Sequence, residues 1–134
     1  MPMNSIGWIV GHLAWQEQRN FVTRAQGIIL VPHLNEIVAN GAPATTPPLG
    51  DMRAVWLEIT RNADTWLGAL DGPDLVLNLA GHGPRRSVGD AIQRVTYHYW
   101  FHIGEILAIR QVLDHPNRPE FVGNLDQRAP YRAC

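Results

Sequence analysis

Apolar residues recur at spacings of three and four over three separate stretches of the chain, and each stretch predicts a helix. The first runs from Asn4 to about Phe21. Ile6, Ile9, Val10, Leu13 and Trp15 make it apolar around most of its girth, and Gln16 to Asn20 turn it polar. Asn4 or Ser5 can cap its start. Gly7, Gly11 and Ala14 share one narrow face, where another backbone can approach closely. The second stretch is clearly amphipathic. Its stripe is Met52, Val55, Trp56, Ile59, Ala63, Trp66, Leu67 and Leu70, with Asp51 as the expected cap and Asp71-Gly72-Pro73 as the stop. The third follows Ser87-Val88-Gly89-Asp90, a capping-box pattern, and runs to about Leu113, where Asp114-His115-Pro116 ends it.

The connections carry less pattern. Ile28 to Val38 is a modest apolar run broken by Pro32 and predicts a short helix. Gly41 to Pro48 is a loop on composition, and Leu75 to Arg86 is a connector containing Gly81-His82-Gly83. Glu120 to Cys134 has no periodicity and is expected along the surface. The predicted class is all-α, one domain over residues 1–134, most simply an antiparallel bundle with one longer crossover.

The third helix breaks its own pattern. Its inward stripe reads Ala91, Val95, His98, His102, Ile106, Ile109, Leu113, so two histidines occupy positions where a bundle wants Leu or Ile. A four-residue step is about one turn, and both rings face the same way. Such a pair can clamp one divalent ion, each nitrogen roughly 2.0–2.1 Å from it if it is zinc. The expected third ligand is His12, in the other strongly apolar helix, at the edge of the stripe that holds Ser5, Ile9 and Gln16. Three neutral imidazoles leave coordination positions open for water or substrate, the layout of a catalytic site. The alternative is that these are hydrogen-bonded core histidines. His33, His82 and His115 sit in connectors or beside Pro and Gly and are expected to be exposed. Glu105 shares the face of His98 and His102. It can fix a histidine tautomer, ligate, act as a general base, or simply pair with Arg94 or Arg110. Trp100, Ile103 and Leu107 lie on the opposite side of this helix, which points to a homodimer interface. The run Tyr97, Tyr99, Trp100, Phe101 is expected to pack.

Composition narrows the chemistry. With 134 residues, the chain is long enough for one buried core. Its 11 basic and 12 acidic residues are interspersed, for a net charge of −1, which argues against nucleic acid as a partner. Apolar runs fall short of a membrane span, and Met1 to Ser5 lacks the start of a signal peptide, so a soluble cytoplasmic protein is expected. The single cysteine, Cys134, excludes an internal disulfide and a cysteine metal cluster. Glu-x-x-His pairs for a di-iron site, His-Glu-x-x-His and Gly-x-Ser-x-Gly are all absent. An all-imidazole set suits zinc or nickel.

Longer blocks carry a resemblance. Asn4-Ser5-Ile6-Gly7-Trp8-Ile9-Val10-Gly11-His12-Leu13, Gly41-Ala42-Pro43 with Thr46-Pro47-Pro48, Tyr97-His98-Tyr99-Trp100-Phe101-His102-Ile103-Gly104-Glu105, Pro119-Glu120-Phe121-Val122-Gly123 and Ala129-Pro130-Tyr131-Arg132 together resemble the DinB superfamily, more narrowly its uncharacterised DinB-like branch. The resemblance spans nearly the whole chain. It implies a four-helix bundle, usually dimeric, with a divalent metal held by three histidines. By position these are His12, His98 and His102. Members with known activity include mycothiol-dependent maleylpyruvate isomerase and bacillithiol S-transferases. The implied function is therefore a metal-dependent transferase or isomerase that uses a low-molecular-weight thiol such as mycothiol on a small-molecule substrate. A metal-dependent hydrolase and a non-catalytic or vestigial metal-binding bundle remain alternatives. Glu105 stands where many relatives have Gln. Relatives usually have a helix before the segment beginning at Asn4, and only three residues precede it here. The expected bundle therefore lacks its first helix, with Gly7, Gly11 and Ala14 as the orphaned contact.

Overall fold

In the computed structural model, which describes residues 3–79, 86–119 and 123–129, all three predicted helices form. Helix α1 spans Ile6–Glu17 and continues as a π-helical segment, Gln18–Arg24; α2 is Leu34–Ile37, α3 Leu49–Leu67, α4 Val88–Val112 and α5 Leu125–Arg128. A 3-10 turn at Pro73–Val76 precedes α4. Among the described residues there is no strand, only an isolated bridge between Asn78 and Ser87.

The helix ends follow their side chains. Ser5, not Asn4, caps α1, its hydroxyl accepting from Trp8 N–H at 3.1 Å. The capping box of α4 closes in both directions. Asp90 N–H donates to Ser87 Oγ at 3.1 Å, and Ser87 N–H donates to Asp90 Oδ2 at 3.0 Å. Helix α3 starts earlier than its sequence signal. Pro48 holds the cap position and Asp51 lies in the first turn, where its carboxylate meets the positive end of the helix dipole. That helix also ends earlier, with Gly68 at its C-cap rather than at Asp71. Leu113 falls just beyond α4 and is exposed, so the buried stripe stops at Ile109.

Helix α1 packs between α3 and α4. Gly7 meets the backbone of Pro47 and Leu49, Gly11 meets Met52, and farther along Phe21 stacks on Trp66 with centroids 6.0 Å apart. Contacts that advance together in both helices mean that α1 and α3 run parallel, which the crossover from Ala25 to Pro48 permits. Helix α4 opposes both. Ile9 and Leu13 pack with Ile109, while Ile92 and Val95 join the cluster around Phe21 and Trp66. Helix α4 is thus antiparallel to both, and the one longer crossover expected of the bundle joins the parallel pair α1 and α3. Ile9, Val22, Leu34, Val38 and Ile59 are fully buried.

The small-residue face of α1 is filled by the chain itself. A Cβ on Gly7 would lie 2.2 Å from the Pro47 carbonyl oxygen, and one on Gly11 would lie 2.6 Å from Met52 Sδ and 3.0 Å from Val38 Cγ1. The face is therefore not orphaned.

The polar turn at the end of α1 lies inside: Gln16, Glu17, Gln18 and Asn20 are buried. Gln18 Oε1 accepts from Leu30 and Val31 N–H, and its Nε2 donates to Val31 carbonyl, pinning the crossover. Asn20 Nδ2 donates to Gln16 carbonyl at 2.8 Å, the acceptor its own backbone N–H would use in an α-helix. The ladder shifts to the π register at this point.

These contacts set a pair of opposite outcomes. Gly7→Ala drives a methyl into a backbone carbonyl and should lower stability by about 1–3 kcal/mol. Gly104→Ala, on an open helix surface with nothing within 4 Å of the new methyl, should raise it by roughly 0.5–1 kcal/mol. Denaturant midpoints of the two variants check the sign of each.

Candidate metal centre

The opposed crossing of α1 and α4 sets His12 against the His98–His102 pair. Ring centroids are 5.0 Å apart for His12–His98, 5.2 Å for His12–His102 and 4.5 Å for His98–His102. One ligating nitrogen from each ring lies within 4.8 Å of the other two. His12 and His102 are buried and His98 is half-buried.

The outer nitrogens are already committed. His12 Nδ1 lies 2.7 Å from the Val38 carbonyl oxygen, and the ring is stacked between Trp8 and Trp15. A carbonyl only accepts, so Nδ1 carries the proton and Nε2 keeps its lone pair. His102 Nδ1 lies 2.5 Å from Glu105 Oε2, and an ionised carboxylate imposes the same tautomer. His102 Nε2 then faces His98 Nε2 at 3.0 Å. His98 Nδ1 is buried with no hydrogen-bond partner among the described residues.

With His102 Nε2 accepting, His98 Nε2 carries the proton between them, and a cation would take that proton's place. Three imidazole nitrogens converging from two helices form a donor set that fits a divalent cation. Two nitrogens tetrahedrally bound to zinc stand about 3.4 Å apart, within the range of separations here. Their protonation suits the same role. Burial, aided by the neighbouring His102 and His12, depresses His98 to about 4, and burial also lowers His12. Both are therefore neutral at neutral pH, the form that ligates.

Glu105 turns to His102 rather than to an arginine; Arg110 instead donates to the Pro116 and Asn117 carbonyls. His33 and His115 are exposed, as expected, and His82 lies outside the described residues, as do Glu120–Val122 and Pro130–Cys134. The aromatic run divides: Tyr99 is half-buried, whereas Tyr97, Trp100 and Phe101 are exposed, contrary to the packing expected for them.

Two features escape the sequence pattern. A cavity of about 490 Å³ opens beside His12 and His98, lined by Arg19, Arg24, Arg86 and Arg94. Their positions share no spacing, so only the fold brings them together. On the other side of α1, buried Glu17 accepts from the Tyr99 hydroxyl, which in turn accepts from Trp56 Nε1 at 2.6 Å. Burial pushes Glu17 up to about 7, against the smaller opposing effect of the Tyr99 hydrogen bond, and also pushes Tyr99 well above the usual phenol range.

Comparison with known proteins agrees with this architecture. A family model described as the DinB superfamily matches residues 1–106. No curated protein and no solved structure gives a significant match.

Glu17 carries a pH dependence of definite sign. Its folded pKa of about 7 exceeds the ordinary 4.5, so the folded state holds the proton more tightly. The resulting stabilisation is fully present below 4.5 and is lost as pH rises through 7. Between pH 4.5 and 8, wild type should lose about 3 kcal/mol relative to Glu17→Gln. Parallel denaturant unfolding of both proteins across that range measures the difference.

Proposed function

The chain belongs to the DinB superfamily, and we propose that it holds a divalent metal, zinc or nickel, on His12, His98 and His102 as a thiol-dependent transferase or isomerase. The observation that carries the reading is the convergence of three imidazoles whose outer nitrogens are held by the Val38 carbonyl and Glu105 where a partner is present. A bound divalent cation supplies a lowered pKa to a thiol that reaches it, giving a nucleophile at neutral pH. The thiol proposed is a low-molecular-weight one such as mycothiol, on the resemblance to thiol-dependent members, and its partner is a small electrophile.

The chain's own residues have separate parts in this scheme. Glu105 keeps His102 Nε2 turned inward and is a carboxylate placed to take up and return a proton. Trp8 and Trp15 flank His12 and keep water from its faces. His98, half-buried and lining the cavity, marks the side from which reactants enter.

Titration with zinc and with nickel tests the site. Wild type should bind one equivalent, His98→Ala should lose that binding, and Glu105→Gln should weaken it 10–100-fold. Between pH 7.5 and 5.5 affinity should fall by less than the roughly thousandfold that three ordinary histidines would impose. The loaded protein should then consume free thiol in the presence of an aryl halide, and His98→Ala should not. Metal bound without any thiol loss would favour the non-catalytic metal-binding bundle.

We also propose that the chain forms a homodimer through the outer side of α4. Tyr97 and Phe101 are each 64% exposed there, with Trp100 and Ile103 beside them, more aromatic surface than one copy of a bundle usually leaves in water. Sedimentation should read two copies for wild type and one for Phe101→Asp.

A further inference from the structure

The cavity beside the histidines concentrates one kind of charge. The chain has no lysine, so all 11 of its basic residues are arginines, and its net charge is −1. Four of those arginines nevertheless line this one space of about 490 Å³, together with His12, His98, Trp15, Gln16 and Asn40, and no carboxylate lines it among the described residues. They come from three places: the π-helical segment, the connector ahead of α4, and α4 itself.

The π register matters to this arrangement. Residues five apart on an α-helix point about 140° away from each other. In a ladder of i to i+5 bonds they come round to the same side, and Arg19 and Arg24 both reach the cavity. Arg94 lies one turn before His98 on α4, which places a guanidinium next to a proposed ligand.

Two of the guanidiniums are held in place, and Arg24 feels two of the others. Arg19 lies over the Trp15 ring, 5.3 Å from its centroid, and Arg24 Nη1 donates to Asn20 Oδ1 at 3.3 Å. Burial, then the charges of Arg19 and Arg86, lowers the pKa of Arg24. Arg19, Arg86 and Arg94 form no ion pair with a described carboxylate. Asp90 feels the charge of Arg86, but its carboxylate is committed to the Ser87 capping box. A fold that gathers like charges around an open space gains by admitting an anion. The planar guanidinium also matches carboxylate and phosphate oxygens two at a time.

We infer that this cavity binds a small, multiply anionic molecule through carboxylate or phosphate groups and presents its other end to His12 and His98. That this molecule is the substrate or the thiol rests on the proposed metal reading; the anion binding itself does not. The volume suits a metabolite-sized ligand.

Calorimetric titration of the full chain, metal-free and zinc-loaded, tests the inference with three probes: succinate, inorganic phosphate and neutral succinamide. In metal-free protein at least one anion should bind ten times more tightly than succinamide, and its affinity should fall as salt is raised. Whichever of succinate and phosphate binds better identifies the oxyanion. Arg19→Gln and Arg94→Gln should each weaken that binding at least tenfold, with zinc binding and helical circular dichroism retained, and Arg94→Lys should restore part of it. Anions that bind no better than succinamide, or equally well to both Gln variants, overturn the inference. Should one variant fail to fold, the other variant and the salt dependence of wild type decide. Zinc binding without anion binding removes this inference and leaves the metal reading; arginine-dependent anion binding without zinc binding does the reverse.

Discussion

The arrangement of this protein hangs on three imidazoles placed at the crossing of two helices, where packing alone would ask for aliphatic side chains. A buried ring nitrogen without a partner is costly, so the surrounding chain must supply acceptors at fixed points. One comes from the crossover, through the Val38 carbonyl, and one from the next turn of α4, through Glu105. His98 Nδ1 has none among the described residues. What is gained is a set of ring nitrogens gathered at a common centre, with His12 and His98 held neutral by burial.

The fold serves that crossing through close approach on the other side of α1. Gly7 and Gly11 let the start of α3 and the crossover lie against the helix, and this parallel packing carries Val38 to His12. Glu17, Tyr99 and Trp56 tie the same three helices together on the far side with a second polar cluster. The two clusters differ in kind. The first converges ring nitrogens; the second is closed upon itself, with a carboxyl group that keeps its proton to near neutrality.

The helices and the histidine set were legible in the sequence because their signals are local. A stripe at spacings of three and four is visible without a fold, and polar residues standing in such a stripe announce themselves, as His98 and His102 do. His12 was legible because it too sits in a strongly apolar helix. The cap of α3 was misplaced because Asp51 is a good N-cap residue by type, while Pro48 sets the boundary by its own geometry. The burial of Gln16, Glu17, Gln18 and Asn20 is not visible in a polar run, because polar side chains are mostly exposed. Gln18 is covered by a crossover that needs its hydrogen bonds, and the crossover's path is a tertiary fact. The same holds for the arginines, which come from distant segments and from a register that departs from the α-helix.

The bond between His12 Nδ1 and the Val38 carbonyl has a consequence beyond holding a ring. Gln18 latches the crossover to α1 at Leu30 and Val31, and Val38 latches it again at His12, so that loop has two anchors on one helix. If the second anchor lets go, His12 loses the acceptor that keeps its proton on the outer nitrogen, and the proton becomes free to move to the inner one. A tautomer change of that kind would silence a ligand without altering any residue. The path of the crossover and the place of a single proton are, in this protein, one variable.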